Sequence, residues 1–180
     1  MEIDNIKNYI SDTNHNSFME IANELYELTS WLNKTYPGYK EWFYNKQIKG
    51  CLTPNRNIIF VKNKKGKIIA LSCLKKDEKE RKICTLFVSD KYRKHGIGSL
   101  LLEESMRFLE TTKPLITFTE DKLPMFKGMI AKYNYEMLMN EKYILNKTSF
   151  SITDLSGNDI PLTSEKTFAK SRVLTKDTNK

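Results

Sequence analysis

The stretch ICTLFVSDKYRKHGIGSLLLEESM, Ile83 to Met106, decides how the rest of the chain is read. It opens with an apolar, β-rich run, Ile83 to Val88, and passes through a polar turn. It then reaches Arg93-Lys94-His95-Gly96-Ile97-Gly98 and continues in a helical pattern. Strand, basic glycine loop and helix, in that order, are what an anion-holding site needs. Glycine has no Cβ to keep backbone N–H groups away from an anion. The first turn of a helix has unpaired N–H donors, and the helix dipole adds partial positive charge there. Arg93 and Lys94 add full charges, so anion binding at this helix start is physically expected.

The two glycines stand too close together for G-x-x-x-x-G-K-[ST]. The position three after Gly98 is Leu101, so the loop is not G-x-G-x-x-G either. What stands here is R-x-x-G-x-G, from Arg93 through Gly96 to Gly98. With its strand and helix, LFVSDKYRKHGIGSLLLEES resembles the acyl-CoA-dependent GNAT N-acetyltransferase superfamily, whose pyrophosphate loop reads [QR]-x-x-G-x-[GA] directly after a strand. The six-residue pattern alone is weak; strand, loop and amphipathic helix together make it specific.

The 180 residues are enough for one ordinary domain with a real core. Hydrophobic residues make up 39%, the mean hydropathy is −0.54, and no apolar run approaches a membrane span. The start, MEIDNIKNYI, lacks a basic region followed by an apolar one, so no signal peptide is expected. Cys51, Cys73 and Cys84 are odd in number and have no C-x-x-C spacing, which argues against a disulfide framework or a zinc site. His15 and His95 lie far apart, so no metal site is expected, and the expected compartment is the reducing cytoplasm. Of the net charge of +8, Lys62 to Lys82 holds nine basic and three acidic residues. That excess reads as charged hairpin turns that keep edge strands soluble. The functional alternative is attraction of an anionic partner, CoA or nucleic acid.

Along the chain, Glu2 to Ile10 can hold a short first strand. Ser17-Phe18-Met19-Glu20 has the form of a capping box. Phe18, Ile21, Leu25, Leu28 and Leu32 then recur as a helical stripe, ending before Pro37-Gly38. A second helix is expected over Tyr39 to Ile48; its Tyr39, Trp42, Phe43 and Tyr44 read as packing residues, while the resemblance implies that some of them wall an acceptor pocket. Asn57 to Val61, Ile68 to Leu74 and Ile83 to Val88 form an antiparallel meander. This places the Lys64 to Lys67 turn at the same end as the loop after Val88. The helix after Gly98 is expected to bury Leu101, Leu102, Met106, Phe108 and Leu109. Leu115 to Thr119 is a strand parallel to Ile83 to Val88 by the crossover rule. A helix to about Tyr133 follows, then a closing hairpin of Tyr135 to Met139 with Tyr143 to Ile152. The expected organisation is a single acyltransferase domain over 1–153 with an extension over 154–180. The fold class is α/β in the broad sense and α+β in detail: a mixed, mostly antiparallel GNAT-like sheet with a central parallel splayed strand pair, flanked by helices.

The resemblance covers about Asn57 to Tyr135 and implies acetyl-CoA as co-substrate, lying between the splayed strands. Its pantetheine would pair with backbone groups of Leu86, Phe87 and Val88. Its pyrophosphate would rest on Arg93, Lys94, His95, Gly96, Ile97, Gly98 and Ser99. The implied chemistry is direct attack of a neutral primary amine on the thioester, helped by a base or water relay and by polar backbone groups at the carbonyl. Relatives often place a tyrosine four residues before a Gly-Phe pair. Setting Asn134-Tyr135 on that pair puts Ile130 at the tyrosine position and Phe126 one turn earlier. The proton donor then falls to Tyr133 or to water, or is not needed. Glu120 is the candidate base, with a surface carboxylate as its plain alternative. Cys84 reads as a small buried hydrophobe rather than a nucleophile. Two other functions stay open: a catalytically weak acyl-CoA-binding module, and an RNA- or aminoacyl-tRNA-directed acetyltransferase, ranked last for want of aromatic stacking residues on the strands. The acceptor and the oligomeric state are left open.

Overall fold

The computed structural model describes residues 1–10, 15–116, 122–133, 135–138 and 172–175. They fall into two compact units, Met1–Thr112 and Lys113–Lys180. In the first, β1 (Glu2–Asn5) leads through a short 3-10 turn to α1 (His15–Thr29). The helix begins two residues before Ser17, so Ser17 sits inside its first turn and not at its N-cap. A 3-10 turn over Ser30–Lys34 carries the end of the predicted stripe. The second predicted helix exists as α2 (Tyr39–Trp42), a π-helix over Phe43–Ile48, and α3 (Lys49–Cys51).

The predicted meander is present as β2 (Arg56–Lys62), β3 (Ile68–Lys76) and β4 (Arg81–Val88), with β1 added antiparallel beside β2. β2 and β3 are buried along almost their whole length because the sheet is covered on both faces. One face, with Ile58, Phe60, Leu71 and Cys73, packs into the cluster of Phe18, Ala22, Leu25, Tyr39 and Phe43. The other meets α4 (Ile97–Leu109), which buries Leu101, Leu102, Ser105 and Leu109. Met106 and Phe108, expected in the core, are only half-buried; Ser105 takes the inner position instead. Its hydroxyl has one proton and gives it to Leu101 O at 2.6 Å. Ser72 Oγ, 2.8 Å away, must therefore be the donor to Ser105 Oγ. This fully buried pair pins α4 to the middle of β3.

The buried Gln47 of the π-helix does similar work on the opposite face. Its Nε2 donates to Asn57 O at 2.9 Å, and its Oε1 accepts from Arg56 Nη1 at 2.9 Å. A widened helical turn lets this amide reach the sheet main chain, and such turns recur where a helix must serve a second purpose.

In the second unit, β5 (Leu115–Ile116) is described for two residues of the predicted Leu115 to Thr119. α5 (Leu123–Lys132) follows where expected. β6 (Tyr135–Leu138) pairs antiparallel with β7 (Arg172–Thr175), in register Tyr135↔Thr175 to Leu138↔Arg172. The partner of β6 is thus drawn from the stretch read as an extension, and the expected partner, Tyr143 to Ile152, lies outside the described residues.

Candidate active site

β4 ends at Val88, and Ser89 N still donates to Ile69 O at 2.9 Å, so the strand hands the chain to the loop in a fixed position. A single 3-10 turn, Asp90–Tyr92, reverses it. Two residues then take left-handed conformations, Lys94 at φ 63° and Gly96 at φ 79°. The second needs glycine, because an L side chain there is strained. Nothing lies within 4 Å of where a Gly96 Cβ would stand, so the space in front of the turn is open. A Cβ at Gly98 would touch Val88 Cγ2 at 3.9 Å, an ordinary contact.

From Gly96 the chain enters α4 without a side-chain cap and with no acidic residue in the first turn. Ile97 points inward and is 2% exposed. Ser99 is exposed and Gly98 half-buried. Among the described residues, the first turn of α4 is therefore uncapped and opens past Gly96 to free space, which suits a phosphate group.

The loop's charged side chains divide their work. Arg93 Nε donates to Val88 O at 3.0 Å, and its Nη2 lies 2.8 Å from Asp90 Oδ1. Its guanidinium thus braces the loop from within. Lys94 and His95 are exposed. His95 Nδ1 is 2.6 Å from Arg93 O, and since a carbonyl only accepts, Nδ1 carries the proton in this arrangement.

Along β4, Leu86, Phe87 and Val88 are half-buried. The β3–β4 register runs Ala70↔Val88 to Cys73↔Thr85 and resumes at Leu74↔Ile83, leaving Cys84 without an opposite residue. This bulge bends and twists the strand four residues before its end. The Cys84 thiol is pushed up by burial, and so are those of Cys73 and of Cys51, the last to about 12. A thiol so held is a poor nucleophile.

Of the aromatics of the second helical segment, Tyr39 and Phe43 are core, and Trp42 and Tyr44 are half-buried against it. Tyr39 and Phe43 are buried and packed against Tyr26, with ring centroids 6.4 and 5.6 Å away. Burial pushes the Tyr39 phenol far up, against a hydrogen bond to Thr29 Oγ1 at 2.8 Å that acts in the opposite direction. The aromatic that is exposed near β4 is one the sequence reading passed over: Trp31, 44% exposed, its ring 5.9 Å from that of Phe87. The signal was present, since Trp31 stands off the Leu25, Leu28, Leu32 stripe.

Of the two predicted catalytic residues, Glu120 lies outside the described residues. Tyr133 closes α5 half-buried, edge-on to Tyr135 at 6.4 Å, with Lys132 Nζ 4.8 Å from its ring centre. Tyr135 is 6% exposed, its buried hydroxyl has no hydrogen-bond partner among the described residues, and burial pushes its phenol up.

The Acetyltransferase (GNAT) family matches residues 18–120. The chain belongs to the GNAT acetyltransferase family. The match begins earlier than the resemblance read from sequence, taking in α1 and the second helical segment. Among solved structures, an acetyltransferase from Streptococcus agalactiae 2603 is 12% identical with a TM-score of 0.62, covering 97% of both chains. A GNAT-family acetyltransferase from Staphylococcus aureus Mu50 is 14% identical with a TM-score of 0.61, covering 96% of both. The PaiA N-acetyltransferase of Thermoplasma acidophilum, solved in complex with coenzyme A, is 14% identical with a TM-score of 0.54, covering 79% of this chain and 94% of that one. These likenesses show the fold, the α+β acyltransferase architecture expected from the sequence. No curated protein matches the chain.

Proposed function

We propose that the chain is an N-acetyltransferase that moves an acetyl group from acetyl-CoA to a primary amine by direct attack. The observation that carries this reading is the uncapped first turn of α4 behind left-handed Gly96, set directly after β4. The diphosphate would rest on the amides of Gly96, Ile97, Gly98 and Ser99, with Lys94 and His95 at its open side. The main chain of Leu86 to Val88 would hold the pantetheine. Trp31 and Phe87 would wall the acceptor.

In the reaction, the amine nitrogen bonds to the thioester carbonyl carbon, the C–S bond breaks, and the sulfur leaves with the electron pair. The amine must first be neutral, and Glu120, or water held by it, would take its proton. Tyr133 or water would return a proton to the departing sulfur. Main-chain polarity at the bulged strand would favour the developing oxyanion. The single domain over 1–153, its extension over 154–180 and a cytoplasmic setting belong to the same proposal. Among the described residues, no helix is long and apolar enough to cross a membrane.

The test is the shift in melting temperature on adding acetyl-CoA, beside desulfo-CoA and ATP. A ligand at a hundred times its dissociation constant stabilises by about 2.7 kcal/mol, which is about 5–11 °C at this size. Gly96→Glu should abolish the shift. Thiol release with an amine panel, lost in Glu120→Gln, then separates an enzyme from a binding module. No shift at millimolar acetyl-CoA would sink the proposal.

A further inference from the structure

The basic stretch from Lys62 to Lys82 divides into two ends with opposite electrostatics. At the β3–β4 turn three of the cations, Lys75, Lys76 and Arg81, are matched by acids, while Lys79 is exposed. Lys75 lies 2.8 Å from Asp77 and 2.7 Å from Glu80. Lys76 and Arg81 meet Glu110 at 2.5 and 3.6 Å. The β2–β3 turn, Asn63 to Lys67, contains no acid. Lys64, Lys65 and Lys67 are exposed there, as are Lys91 and Lys94 on the loop after β4. Among the described residues none of these five makes an ion pair.

The lysine turn is built and anchored, not loose. Asn63 Oδ1 accepts from Lys65 N at 2.8 Å and from Lys67 N at 3.2 Å. Asn63 N donates to Lys67 O at 2.9 Å, and Gly66 supplies the left-handed residue at φ 77°. The other end of the same amide, Asn63 Nδ2, donates to Tyr92 Oη at 3.2 Å. One side chain thus shapes the turn and ties it to the segment that opens the α4 loop. Like charges set this close repel one another, and an ordered acid-free turn holding them is best matched by a compact, multiply charged anion. Because Arg93 faces inward, the free cations at this end are lysines, which take phosphate as point charges.

We propose that Lys64, Lys65 and Lys67, positioned by Asn63, form a subsite for the phosphate monoester on the adenosine ribose of coenzyme A. The turn would give the protein a requirement for the 3′-phosphorylated nucleotide. This rests on the acetyl-CoA reading, which places the diphosphate at the neighbouring loop. A monoester is close to a dianion at neutral pH, so it gains more from three lysines than any neutral part of the nucleotide.

The experiment is calorimetric titration of the full chain with coenzyme A and with 3′-dephospho-coenzyme A, at low and high salt. The variants are Lys64→Gln/Lys65→Gln/Lys67→Gln, and Lys79→Gln on the opposite turn as control. The parent and the control should prefer coenzyme A by about tenfold or more, a preference that added salt reduces. The triple variant should bind both nucleotides alike, at the affinity the parent shows for the dephospho form. Its circular dichroism and melting temperature check that it is folded. Equal binding of the two by the parent, or a preference that survives in the triple variant, overturns the subsite while leaving the acetyl-CoA reading intact. Failure of both nucleotides to bind the parent overturns the two together. Equal nucleotide binding beside RNA retention that the triple variant loses would assign the turn to a polynucleotide and overturn the subsite.

Discussion

Arg93 shows why charge counted along a sequence is not charge delivered to a ligand. Its guanidinium holds Val88 O and Asp90, so its first effect is on the shape of the loop. Arg93→Ala is expected to lower stability by about 1 kcal/mol and to weaken acetyl-CoA binding more than tenfold. Lys94→Ala should weaken binding without changing stability. Denaturant melts beside titrations separate the two, and equal behaviour would refute the bracing role. Asp4 gives a second residue-scale test. Burial alone would raise its pKa, but hydrogen bonds from Tyr9 and Asn8, the Asn5 amide and the Lys62 charge together hold it below its ordinary value near 3.8. Tyr9 Oη donates to it at 2.6 Å and in turn accepts from Lys62 Nζ at 2.6 Å, tying β1 to β2. A carboxyl depressed in the folded state contributes stability above its unfolded pKa and loses it as pH falls through the folded value. The stability gap between the parent and Asp4→Asn should therefore be full above about pH 5 and close below 3.8. A gap unchanged between neutral and acid pH would remove the charge from the explanation.

At the scale of elements, the π-helix and β2 depend on one contact set. Arg56 lies across Gly50, where a Cβ would run into its side chain, and reaches Gln47 Oε1. Gly50→Ala is expected to displace Arg56 and leave buried Gln47 short of a partner, a loss of about 1–3 kcal/mol. In an Arg56→Ala background the same change should cost much less, and a double-mutant cycle in chemical denaturation measures the difference. Additive losses would refute the linkage. The β-meander, α4 and the glycine loop were legible because their signals are local: short apolar β-rich runs between charged turns, a 3.6-residue stripe and glycines at a turn. The π-helix was read as ordinary helix, because its widening follows from Gln47 reaching the main chain of Asn57, a partner ten residues on. The buried Ser105 was missed because its partner Ser72 lies in a different element.

At the scale of the whole molecule, β6 is paired by residues near the end of the chain. Removing 172–180 should abolish slow hydrogen exchange at Tyr135 to Leu138 while leaving β2 to β4 protected, as mass spectrometry on peptides can show. Unchanged protection at β6 would refute the pairing in solution.

What the sequence by itself determined was the family, the order of the main elements and the glycine loop after β4, since R-x-x-G-x-G after a strand is read within one turn of chain. Tertiary structure decided which charges remain available and which hydroxyls and amides are paired. Arg93 turns inward, Lys75, Lys76 and Arg81 find acids, and among the described residues Lys64, Lys65 and Lys67 do not. The physical reason is that neutralisation depends on distance in space, to groups such as Glu110 that lie about thirty residues away in sequence.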